Sequence, residues 1–103
     1  MHERFRIPMP EAGEKAYVAF DIPTMKELHD YYGEDYLTRV SVALDRRNIV
    51  ALRKCLELML KDANVTGDDL IEKFTLADLS ERLTDAISLC VYGKRVAELE
   101  PAA

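Results

Sequence analysis

The sequence predicts an α+β, mostly α fold: an N-terminal β-hairpin followed by about five helices packed as one small domain over residues 1–103. Three observations predict it. Apolar residues alternate with period two up to residue 22. Beyond that they recur at spacings of three and four. Ser/Thr/Asp/Asn residues stand at the expected helix starts, and Thr24, Thr66 and Thr75 are each followed by an acidic residue three positions on.

The first strand is read from Phe5, Ile7 and Met9, which alternate with Arg4, Arg6 and Pro8. Pro8 cannot donate to a ladder, so this strand belongs at an edge or a bulge. Residues 10–14 form the turn, a loop of about five residues. The second strand follows from Ala16 to Ile22, with Val18, Phe20 and Ile22 inward and Tyr17, Ala19 and Asp21 outward. An isolated hairpin is marginal, so its apolar face must lie on the helices or on another strand.

Thr24 with Glu27 reads as a capping box that opens a short helix ending at Gly33. Its apolar side is Met25, Leu28 and one of Tyr31 or Tyr32. A second helix over 35–46 carries Leu37, Val40, Val42 and Leu44, too dense for a narrow stripe, so it is expected to be central. Asn48 caps a third helix running to residue 63, with Ile49, Leu52, Leu56, Met59, Leu60 and Ala63 inward. Thr66 with Asp69 opens a short helix over 68–74. Thr75 with Asp78 opens the last, which Gly93 ends. The ordered core is expected over about 4–95, with residues 96–103 frayed.

Composition narrows the function classes. The chain carries 14 Lys and Arg against 19 Asp and Glu, a formal net charge of −5. An acidic chain with dispersed basic pairs lacks the attraction that dominates binding to nucleic acid or anionic lipid. No nucleic acid and no membrane are therefore expected as partners. The segment Met1-His2-Glu3-Arg4 has no apolar h-region, so a cytoplasmic location is the default. Cys55 and Cys90 sit among apolar neighbours and read as reduced, buried thiols.

Chemistry-bearing motifs are weak. Asp62-Ala63-Asn64-Val65-Thr66-Gly67-Asp68 partly matches a calcium loop, but Lys73 stands where a bidentate carboxylate must close the site. His29, Asp30, Glu34 and Asp35 are interrupted by Gly33 and read as a solvated helix end. There is no Gly-x-Ser-x-Gly elbow and no glycine-rich phosphate cradle. No enzymatic activity, no cofactor and no metal is expected. The tyrosines are more suggestive. Tyr31, Tyr32 and Tyr36 cluster around Gly33, and Tyr17 lies on the polar side of its strand. Adjacent Tyr31 and Tyr32 cannot share one core stripe, so at least one is expected at the surface. The four are the candidate partner-binding residues, because tyrosine joins large contact area to a polar tip.

The order of elements carries a resemblance. The run from Tyr17 to Leu28, then Asn48 to Leu56, Val65 to Glu72, and Leu76 to Tyr92 resembles the small tail assembly chaperones of long-tailed phages and the related gene-transfer-agent proteins. It covers about residues 16–95. What it implies is a non-enzymatic protein of the host cytoplasm that binds the tape-measure protein, keeps it soluble and leaves the finished particle. Self-association into a homo-oligomer is implied too. The resemblance carries over no functional residues. Two alternatives stand beside it. One is a DNA-binding regulator using helices 35–46 and 48–63 as a helix-turn-helix, against which Ile49, Val50, Ala51 and Leu52 fill the base-reading positions. The other is a head–tail connector subunit retained in the particle.

Overall fold

A computed structural model describes residues 5–99. Its order is β1 (Ile7–Pro8), a 3-10 turn (Pro10–Ala12), β2 (Tyr17–Val18), α1 (Ile22–Tyr32), α2 (Tyr36–Asp45), α3 (Ile49–Met59), β3 (Leu60–Lys61), α4 (Gly67–Lys73), α5 (Leu76–Tyr92) and α6 (Val96–Leu99). The α+β, mostly α class predicted from the sequence is the class observed.

The hairpin is antiparallel, with Ile7 opposite Val18 and Pro8 opposite Tyr17. Pro8 sits on an edge strand, as its missing N–H requires. The Met9 N–H donates to the Ala16 carbonyl at 2.9 Å, which closes the connection around the 3-10 turn. The Arg82 guanidinium on α5 then clamps this turn through a two-pronged pair with Glu11, at 2.9 and 2.7 Å.

The third strand was not foreseen. The helix expected over 48–63 stops at Met59, and Leu60–Lys61 pairs with the free edge of β2 in the order β1-β2-β3. Local periodicity favours helix through Ala63. The pairing wins because β2 has backbone groups that need partners; the Ala19 N–H also donates to the Met59 carbonyl at 3.1 Å. Asp62, at φ 52°, turns the chain away from the strand.

The start of α1 differs as well. Its N-cap is Asp21, whose carboxylate accepts from the Thr24 N–H at 2.9 Å. The capping box expected at Thr24 and Glu27 is not used. Pro23 falls in the first turn, where its missing N–H costs nothing, so the helix starts earlier than expected. Thr24 is thereby buried, and Ile22, expected inward from a strand, projects into solvent. The remaining caps match expectation. Asn48 accepts from the Val50 and Ala51 N–H groups. Thr66 and Asp69 form a reciprocal capping box, and Thr75 accepts from the Asp78 N–H at 3.1 Å. Gly93 closes α5 in the left-handed region at φ 76°, where a Cβ is costly.

The core gathers between α3 and α5, with the sheet and α1, α2 and α4 around them. Phe20, Leu28, Leu52, Leu56, Leu79 and Leu83 are among its buried members. The expectation that α2 is central is corrected: Val40 and Leu44 are buried, but Val42 is 42% exposed. The helix shows one inward stripe and one open flank. Val96–Leu99, expected to be frayed, forms a helical turn, with the Val96 N–H on Asp85 at 3.2 Å and the Arg95 N–H on Glu98 at 3.1 Å. Expectations for residues 1–4 and 100–103 lie outside the described residues.

Ser80 is buried on α5, and its hydroxyl has no hydrogen-bond partner among the described residues. A buried unsatisfied hydroxyl is costly, and alanine is the better helix former. Ser80→Ala is expected to stabilise the fold by about 1 kcal/mol, read as a rise in the urea midpoint at unchanged slope.

Candidate functional site: two surface grooves

The candidate tyrosines separate into distinct places. Tyr31 and Tyr32 end α1 and meet edge to face, with centroids 4.7 Å apart. Tyr31 is 59% exposed, whereas Tyr32 packs against the core. Burial raises the Tyr32 hydroxyl pKa above its usual value. The pair thus divides as adjacent helical positions must. Tyr36 begins α2 and packs edge-on to His29 at 5.8 Å. Tyr17 lies on the sheet beneath the Arg6 guanidinium, 4.3 Å from the ring centroid.

Of these four, Tyr31 lines a groove. It forms one wall with Val50 of α3 and the segment from Leu60 to Asp68, around a volume of about 690 Å³. Val50 is 63% exposed. The basic residues here are already engaged. Lys54 sits 5.1 Å over the Tyr31 ring, and Arg53 holds Asp68 with two hydrogen bonds, at 2.8 and 3.3 Å. At the turn before α3, Arg47 donates to the Leu44 and Asp45 carbonyls.

A second groove runs between α2 and α5. Leu37, Thr38, Ser41 and Val42 face Ile87, Val91 and Tyr92 around about 300 Å³. None of these seven side chains is charged. Val91 is 41% and Tyr92 67% exposed. None of the candidate partner-binding tyrosines, Tyr17, Tyr31, Tyr32 and Tyr36, lines this groove. The available signal was an excess of apolar residues beyond one stripe. Val42 falls between Val40 and Leu44, which share the inward face of α2. Val91 and Tyr92 follow Cys90, the last position of the inward stripe of α5.

The motifs expected to be inert find structural partners. Asp68 and Asp69 of the calcium-like loop are engaged by Arg53 and Thr66. The capping bonds from Thr66 hold the Asp69 carboxyl below its usual range. Among the described residues, no group of three or more His, Cys, Asp or Glu side chains is arranged to hold a metal ion. No helix there is long and apolar enough to cross a membrane.

Both cysteines are free thiols, Cys55 buried and Cys90 partly so. Burial pushes the Cys55 thiol up to about 12 and also raises Cys90. A thiol at that value is ionised to about one part in ten thousand at pH 8. Cys55 in a Cys90→Ser variant is therefore expected to react with a thiol reagent only as fast as the protein unfolds. Cys90 in a Cys55→Ala variant should react at least about tenfold faster. Stopped-flow labelling in native buffer checks both.

Comparison with known proteins finds no matching family model, no matching curated protein and no matching solved structure.

Proposed function

We propose that this chain is a non-enzymatic, protein-binding assembly chaperone that acts in tail assembly of a phage or prophage. In this role it binds the tape-measure protein and self-associates in the host cytoplasm. The observation that carries the protein-binding part is the groove between α2 and α5, where Val42, Val91 and Tyr92 stand open on uncharged walls. An apolar helical cleft is the kind of surface that receives an amphipathic helix, and a tape-measure protein offers long helices of that kind. The phage assignment itself is supported by the resemblance in element order.

The engagement of Arg47, Asn48 and Arg53 within the fold favours a protein partner over the helix-turn-helix alternative, because base readout needs such side chains free. Co-production with the tape-measure protein of the same genome tests the proposal. The expected result is a co-eluting complex and a soluble tape-measure protein that is insoluble when made alone. A genome lacking such a protein, or a tape-measure protein unaffected by co-production, refutes the tail role. Light scattering over a tenfold concentration range tests the self-association.

A further inference from the structure

The groove between α2 and α5 does not end at its apolar walls. Ser41 also lines a second depression of about 490 Å³, which Asp45, Glu81 and Asp85 share with a single cation, Arg47, and with Val96 and Ala97 of α6 as a further wall. The start of α2 lies beside the end of α5, and the end of α2 lies beside Glu81, so the two helices run antiparallel. The two depressions adjoin at Ser41 and together form a channel, apolar at the Tyr92 end and acidic at the Asp45 end. Within it the Arg47 guanidinium donates to the Leu44 and Asp45 carbonyls. The Asp45 and Glu81 side chains make no ion pair among the described residues.

We propose that this channel docks one amphipathic helix of a partner protein, apolar over its first turns and bearing Lys or Arg in its last turn. The proposal rests on the protein-binding reading above and adds the chemistry and polarity of the ligand. Its apolar face would cover Val42, Val91 and Tyr92. Its cationic end would lie over Asp45 and Glu81. The ten residues of α2 give a track of about 15 Å at 1.5 Å per residue, which matches two to three turns of ligand. Cations in the last turn also suit the partner helix's own dipole. A second copy of this chain fits less well. It brings a net charge of −5, and Arg53, which flanks its exposed Ile49 and Val50, is already held by Asp68.

The test uses the full chain and a fluorescein-labelled helical peptide of about fourteen residues. Leucines stand at i, i+3, i+4 and i+7, with two arginines in the last turn. A twin peptide carries two glutamates instead. The arginine peptide is expected to bind at least about tenfold more tightly at low salt, and the gap should shrink as salt rises. Asp45→Asn with Glu81→Gln should abolish the gap. Val42→Asp should abolish binding of both peptides. Tyr92→Asp, at an exposed helix end, repeats that test should Val42→Asp fail to fold. Amide shifts should map to Val42, Val91 and Tyr92.

Equal affinity for the two peptides overturns the proposal. So do shifts that gather at Tyr31 and Val50 instead, or self-association that Tyr92→Asp abolishes while peptide binding persists. Tape-measure binding that survives Tyr92→Asp would reject this channel while leaving the tail role standing. Peptide docking without tape-measure binding would do the reverse.

Discussion

Phe20→Ala is expected to cost about 3–5 kcal/mol of stability, the range for emptying a fully buried aromatic site. Phe20 has no exposed surface and belongs to the main core cluster. It lies two residues past the end of β2, where the chain passes from sheet to α1, so two elements lose a shared anchor. Domains of this kind are stable by about 5–15 kcal/mol in total. The variant should therefore unfold at a much lower urea concentration and populate the unfolded state measurably near body temperature. Phe20→Leu refills much of the volume and should cost less, in line with volume-conserving exchanges. Equilibrium urea unfolding at 25 °C checks both. A loss under about 1 kcal/mol for the alanine variant would contradict the burial of this ring.

Asp21→Ala carries the second large effect, about 2 kcal/mol, at the upper end for loss of an N-cap. Three partners converge on this carboxylate. It accepts from the Thr24 N–H at 2.9 Å and from the Thr24 hydroxyl, and Lys61 of β3 approaches to 3.2 Å. The Thr24 hydroxyl is shared with the Leu58 carbonyl at 3.1 Å, and Lys61 donates to that carbonyl at 2.9 Å. Asp21 therefore ties the start of α1 to the end of α3 and to the third strand.

The same residue predicts a pH dependence. Burial raises the Asp21 carboxyl pKa, but the Thr24 bonds and the Lys61 charge favour the ionised form and outweigh it, leaving the group below its ordinary value. A folded-state value below the unfolded one stabilises fully above the unfolded pKa, about 3.9. That contribution fades as pH falls through the folded value. The stability gap between wild type and Asp21→Asn should thus stay flat from about pH 7 to pH 5 and close below about pH 4. Glu11 and Asp69 are also held low, by Arg82 and by Thr66 respectively, and titrate in the same window. Differencing against the variant removes their background.

Helix identity was legible wherever a cap and a stripe agreed. Asn48, Thr66, Thr75 and Gly93 each mark a boundary with their own side chain or backbone, and each marks it in the structure. The edge position of Pro8 follows from a missing N–H, which no tertiary context can restore. The partial exposure of the Tyr31–Tyr32 pair follows from the hundred-degree step between helical neighbours.

The errors share one cause. Thr24 and Asp21 are both competent caps, and local sequence does not rank them. Asp21 prevails with Lys61 beside it, a residue forty positions away in sequence. Leu60–Lys61 continues a helical pattern, and only the unpaired edge of β2 turns it into a strand. The α2–α5 channel is less legible still. Whether Val42, Val91 and Tyr92 are covered depends on how far apart two helices sit, and periodicity carries no information about that distance. The sequence by itself determined the class of fold, the helix caps and the acidic balance of the surface, because those depend on bonds within a few residues or on composition. The third strand, the start of α1 and the open channel were decided by tertiary structure, because each depends on backbone groups or surfaces that meet only when distant segments are brought together.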